Sequence, residues 1–219
     1  MTNASRTDWN VPLILLAISV IPFAAGIARL AGLPGNPEIS TANARFVATP
    51  VPVVVHILGA ILFPILSVLR LSSGLHQRSP HWHRVSGRVV VASGIFAALT
   101  GLWMTILSPI PPDLQGGLLY AGRVVVSVAL LLSIFLAVAA SKGTDTERHR
   151  TLMIRAFALG HGAGMQALLL LLWMLLMGEP SLLHRDLLMG LAWLINLLFA
   201  EMAIQRWSPR HSNLYRGTV

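Results

Sequence analysis

The sequence predicts an all-α polytopic membrane bundle of six spans, and three observations predict it. Hydrophobic residues make up 55% of the 219 residues, charged residues only 11%, and the mean hydropathy is +0.71. Charged residues are about a quarter of an ordinary soluble domain, so a compact soluble fold would lack the polar surface to cover itself. Six apolar segments each approach the roughly twenty residues needed to cross about 30 Å of hydrocarbon. The basic residues gather on alternate connections between them.

The segments run Val11–Leu30, Val51–Leu71, Val89–Leu107, Gly117–Ala140, Thr151–Met177 and Leu187–Ile204. The first is longer than a signal-peptide core of about 7–15 residues and reads as a span, with Ala24, Ala25 and Gly26 as the place where a signal cleavage would fall. The second follows a connection punctuated by Pro34, Pro37 and Pro50. Pro109, Pro111 and Pro112 stop the third. The fourth runs unbroken to Ala140. Glu179 and Pro180 turn the chain after the fifth, and the sixth returns it. Pro22 and Pro64 lie inside spans, where they are expected to kink the helix at a cost bilayer helices tolerate. Trp9, Trp82 and Trp207 near one interface and Trp103 and Trp173 near the other read as anchors. Residues 1–219 therefore form one integral membrane domain.

With the N-terminus inside, 12 of the 16 basic residues fall on the inner side, Arg70 among them, and only Arg29, Arg45, Arg123 and Arg185 on the outer. Both termini are then cytoplasmic. The net charge of +8 sits between apolar runs. It fits the anionic headgroups of the cytoplasmic leaflet rather than nucleic acid. Cysteine is absent, which excludes disulfides, Cys-ligated zinc, iron–sulfur clusters and thiol catalysis. Serines such as Ser93, Ser127 and Ser133 have no adjacent base, and neither HExxH nor GxSxG occurs.

An ionisable side chain at bilayer depth costs roughly 2.5–3.5 kcal/mol on insertion scales, so each needs a partner or a task. His56, Arg123, Arg155, His161 and Glu201 stand out. Each histidine has a glycine three residues on, Gly59 and Gly164, on its own helical face. Small neighbours beside an imidazole suit a flat macrocycle, and His56 and His161 are candidate axial ligands for b-type haem. The same glycines suit close helix crossing, with Gly160 and Gly164 as a GxxxG pair. Helical rise sets His56 about 8 Å, Arg123 about 9 Å and His161 about 15 Å below the outer surface. Arg123 could meet a haem propionate or a quinone oxygen, or reach the outer headgroups. Arg155 and Glu201 both lie near the inner surface and are expected to join the fifth and sixth spans as an ion pair. Arg155 and Gln166 share a face, His161 points about 120° away, and the fifth span is therefore expected to be central.

A basic cluster faces the cytoplasm. His76 to Arg88 reads as a loop after the second span, and Thr144 to Arg150 as a loop before the fifth. His83, Arg84, Arg88, His149 and Arg150 form its core, a solvated face touching lipid phosphate. Asp145 and Glu147 suit a helix start. His81, His83, His149 and Asp145 are too weakly patterned for a metal site, and none is expected.

His83-Arg84-Val85-Ser86-Gly87-Arg88 followed by Arg148-His149-Arg150-Thr151-Leu152-Met153-Ile154-Arg155 resembles a family of bacterial predicted membrane proteins known only as a domain of unknown function, number 2306. There a histidine-bearing helix comes first, then an HR-x-x-GR motif, then an HRRWMIR-like one; Thr151 and Leu152 depart from the last. The resemblance covers Val51 to Gln166. It implies a multi-helix protein of the bacterial cytoplasmic membrane, with His56, His83, Arg84, Gly87, Arg88, His149, Arg150 and Arg155 as a recurring constellation. A looser similarity is to cytochrome b561-type haem proteins, six-helix bundles with histidines on four central helices; the fourth span here carries Arg123 and no histidine.

Three functions follow as expectations. The first is a membrane redox protein holding haem b or a quinone at His56, His161 and Arg123. The second is a small transporter or ion carrier using Arg155, Glu201 and His161, although no repeat and no pair of broken helices points to a transport site. The third is a non-catalytic membrane subunit or scaffold with a partner at its basic face.

Overall fold

The structure is a computed structural model and describes residues 10–34, 39–40, 43–71, 80–108, 110–143 and 145–207. It is all-helical, with no strand among the described residues. The helices are α1 (Asn10–Ala31), α2 (Ala44–Ala48), α3 (Pro50–Leu71), α4 (Pro80–Leu107), α5 (Gly117–Lys142), α6 (Thr146–Gly160), α7 (Gly162–Met177) and α8 (Leu182–Trp207). Six stretches are long and apolar enough to cross a bilayer, and α6 with α7 makes the fifth of them. Helices serve here because each satisfies its backbone groups within itself where no water can.

Two spans differ from the sequence reading. The helix of the third begins nine residues before Val89, at Pro80, and its apolar span at Arg84. His81 to Arg88 thus lie on its first turns rather than in a loop. Likewise Thr146 to Arg150 form the first turn of α6, where the Asp145 carboxylate accepts from the Arg148 amide at 2.9 Å. Such a cap satisfies one of the four unpaired donors at a helix start. The fifth span is broken. At His161 the chain makes a single non-helical turn between Gly160 and Gly162. Apolar periodicity passes through such a turn unchanged, so only the run Gly160-His161-Gly162-Ala163-Gly164 signalled it.

The fifth span is the hub. α6 packs on α3, α5 and α8, and α7 packs on α1 and α8. α3 lies along α4, and α4 along α5. Phe63, Val90, Ala98, Leu130, Ile134, Ala156 and Leu159 form the core where α3, α4, α5 and α6 meet. Ala156 is 0% exposed while Leu176 is 78% exposed. Small residues inside and long aliphatics outside is the pattern of helices packing in lipid, which drives no apolar side chain inward.

Glycines set the approach distances. A Cβ on Gly160 would lie 2.5 Å from the Phe63 ring of α3, one on Gly162 2.2 Å from the Trp193 indole nitrogen of α8, and one on Gly164 3.1 Å from the Ile18 carbonyl of α1. The GxxxG pair therefore serves two neighbours rather than one crossing. Gly160→Ala is expected to lower stability by about 1–3 kcal/mol, since Phe63 is fully buried and cannot retreat. Gly190→Ala, with nothing within 4 Å, is expected to be neutral. Thermal unfolding in detergent compares the two.

Candidate functional site

His56 and His161 line one cavity of about 170 Å³ between α1, α3 and the break in the fifth span. Ser19, Pro22, Ala60 and Pro64 share its wall. The two imidazoles are held differently. His56 donates from Nδ1 to the Ala97 carbonyl of α4 at 2.9 Å. That fixes the ring and leaves Nε2 as the lone-pair nitrogen, with no protein hydrogen bond among the described residues. His161 is 3% exposed and stacks near Phe157, with ring centroids 5.1 Å apart. Its Nε2 lies 3.5 Å from Ser19 Oγ. Ser19 gives its only hydrogen to the Leu15 carbonyl at 2.9 Å, so the serine accepts and His161 Nε2 carries the proton. His161 Nδ1 is then a bare acceptor, and it is buried with no partner among the described residues. A buried polar atom left in that state costs roughly 1–3 kcal/mol.

The prolines add to this wall. Proline has no N–H, so Pro22 and Pro64 leave the carbonyls of Ile18 and Ala60 without their usual helical donors. The cavity is thus mostly apolar, yet its polar atoms are chiefly acceptors.

Haem does not fit this arrangement. The glycine faces that a macrocycle would need are filled by neighbouring helices. A Cβ on Gly59 would lie 2.7 Å from the Ser93 carbonyl of α4, and Gly164 abuts Ile18. The volume is also below the roughly 300–1,000 Å³ of drug-sized ligand sites. Arg123, the third member of the expected cofactor site, does not line the cavity. Its guanidinium donates to Gln115 in the connection before α5.

Arg155 and Glu201 are paired in a two-pronged contact, Nε to Oε1 at 2.6 Å and Nη2 to Oε2 at 3.0 Å. Gln166 donates to the Met189 carbonyl at 3.2 Å. Asn196 donates to the Ala158 carbonyl at 3.1 Å, the acceptor that faces residue 162 across the helix break. Three polar links therefore bind α8 to the fifth span on both sides of the break. Neither Asn196 nor Ser19 stood out in the sequence, since a single amide or hydroxyl in an apolar helix carries no periodic signal.

Asp186 was missed as well. It is 3% exposed, and its two oxygens accept from the Gly116 amide at 3.2 Å and the Leu119 amide at 3.0 Å. A carboxylate from α8 thereby caps α5, stabilised by the helix dipole. Gly116 makes room for it, because a Cβ there would sit 2.3 Å from Asp186 Oδ2.

At the opposite, basic end a second cavity of about 720 Å³ is lined by Arg70, Arg84, Arg88 and His149 together with apolar residues of α4, α5 and α6. Arg84 and Arg88 are exposed, one turn apart on α4, and make no ion pair among the described residues. Arg70 donates to Ser86 Oγ at 2.9 Å. Gly87 keeps that guanidinium close, since a Cβ would meet its Nη1 at 3.1 Å. His149 Nδ1 donates to the Ala137 carbonyl at 2.8 Å. Arg150 is exposed and does not line the cavity. The His83 side chain lies outside the described residues. No group of three or more metal-ligating side chains occurs among the described residues.

Two outcomes follow. Protein expressed with added haem precursor is expected to show no Soret band; a band lost in His56→Ala and His161→Ala would overturn the fit argument. Arg155→Glu and Glu201→Arg are each expected to lower stability by about 1–3 kcal/mol, and the double exchange to recover most of it, read by thermal unfolding.

No curated protein and no solved structure matches the chain. A family model described as predicted membrane protein (DUF2306) matches residues 53–204, from within α3 to the last turn of α8. With six helices able to cross a bilayer and more than half of its length inside that match, the chain is a membrane protein and belongs to the DUF2306 family.

Proposed function

We propose that the cavity between His56 and His161 takes the single-ring head of a membrane quinone, in its hydroquinone form. This is the quinone branch of the redox reading rather than the haem branch. One observation carries it: two histidines from different spans line one small apolar cavity, the bond to Ala97 leaves the lone pair of His56 on Nε2, and His161 Nδ1 is buried without a partner among the described residues.

The size argument selects the ligand. A cavity of about 150 Å³ holds benzene, so about 170 Å³ admits the ring itself, with its bulkier substituents left toward the α1 side, and excludes a porphyrin. The hydrogen-bond argument selects the oxidation state. A hydroquinone offers two O–H donors, and the unpaired imidazole nitrogens are acceptors. The oxidised ring offers only acceptors, so it would need an imidazole to change tautomer or take up a proton. α1 closes one side, and Ser19 is its sole buried residue among those described, which makes it the side for an isoprenoid tail to leave by. The one-residue interruption at His161 is a local irregularity of a membrane helix beside a cavity, and discontinuous helices mark transport sites. It supports a carrier as the second reading, with the same ring as cargo. On either reading the basic end faces the cytoplasm, by the positive-inside rule.

The test is titration of the detergent-purified protein with decylubiquinol and decylubiquinone, read by thermal shift. Decylubiquinol is expected to bind more tightly. His56→Leu and His161→Leu should each weaken it by about tenfold, the worth of one hydrogen bond. Ala60→Phe, which grows into the cavity, should abolish binding. Equal affinity in all variants would remove the proposal.

A further inference from the structure

The basic-end cavity is separate from the histidine cavity and shares no residue with it. Its volume of about 720 Å³ lies within the roughly 300–1,000 Å³ of small-molecule sites. Its lining is divided along one axis. Arg84 and Arg88 stand at the start of α4, with Arg70 and His149 facing them from α3 and α6. Val91, Ile95 and Phe96 continue the wall along the same helix. From Arg84 to Phe96 the helix rises about 18 Å, from the charged end into the apolar stretch. Among the described residues no carboxylate lines the cavity.

We propose that this cavity binds one anionic phospholipid, its phosphate against Arg84, Arg88 and His149 and an acyl chain along Val91, Ile95 and Phe96. Charge complementarity selects the occupant. Arginine presents a planar fork of donors that matches phosphate oxygens. Two such forks one turn apart on a rigid helix bracket a single phosphate. Arg70 is held beside them by Ser86 and by the room that Gly87 leaves. The bond from His149 Nδ1 to Ala137 fixes its ring and leaves Nε2 for the headgroup. A free anion would use the arginines and leave the apolar half of the wall empty. A lipid uses both, and Phe96 is 55% exposed.

The motif residues thereby acquire distinct tasks. Arg84 and Arg88 bind, Ser86 and Gly87 position Arg70, and His149 completes the head site while Met153, one turn on, extends its wall.

The experiment is a thermal-shift titration of the full chain in neutral detergent with three probes: dioctanoyl phosphatidylglycerol, dioctanoyl phosphatidylcholine and inorganic phosphate. Phosphatidylglycerol is expected to raise the midpoint saturably, phosphatidylcholine far less, and phosphate alone not at all at the same concentrations. Arg84→Gln with Arg88→Gln should weaken apparent affinity at least tenfold. Arg148→Gln with Arg206→Gln removes the same charge from exposed sites outside the cavity and should leave it unchanged. Ala92→Trp fills the acyl half from an exposed position and should weaken lipid binding with all charges kept. Equal loss in both double variants would reduce the effect to net charge. An equal shift by phosphate would make it a free-anion site. No effect of Ala92→Trp would remove the acyl groove. Any of these overturns the proposal.

Discussion

Three side chains that are absent, at Gly160, Gly162 and Gly164, set the architecture. Each lies where another helix comes within contact of the fifth span: Phe63 of α3, Trp193 of α8 and the Ile18 backbone of α1. In lipid no hydrophobic force drives helices together, so close packing and polar links must hold them. Glycine permits the first. It also lowers helix propensity and leaves backbone groups exposed to competition. The break at His161 falls inside this run, and Asn196 supplies a donor to the Ala158 carbonyl beside it. Close approach and helix break are two consequences of one local composition.

Most charged and polar groups at membrane depth follow a single rule. Arg155 meets Glu201, Arg123 meets Gln115, Asp186 meets two amides and His56 meets Ala97. Each is partnered because an unpaired polar group in hydrocarbon costs several kcal/mol. Among the described residues of the spans, His161 Nδ1 and Ser67 Oγ are buried without a partner. The setting of His161, at a helix break and on the wall of a cavity, gives it the character of a site rather than of a packed residue.

The basic end illustrates how rigidity changes meaning. In a loop, Arg84, Arg88 and His149 are a solvated surface. On the first turns of α4 and α6 they hold fixed spacing beside an apolar wall. The same residues then describe a cavity with a charged end and an oily end, the profile of an amphiphile.

Composition and the length of the apolar runs determined the class of this protein, because backbone hydrogen bonding in a bilayer admits few alternatives. The six spans were therefore legible, as was the centrality of the fifth, whose polar residues fell on two faces. The Arg155–Glu201 contact was legible because both charges lay at one depth on neighbouring spans. Tertiary structure decided the rest. Asp186 sits near a predicted span end, where a carboxylate is ordinary, and only the fold brings it to the start of α5. The glycines beside the histidines suited a macrocycle or a helix equally until packing filled them. The break at His161 is one residue long, so periodicity carried no trace of it. Which imidazole nitrogens stay free depends on Ala97 and Ser19, residues remote in sequence that become neighbours only when the helices pack.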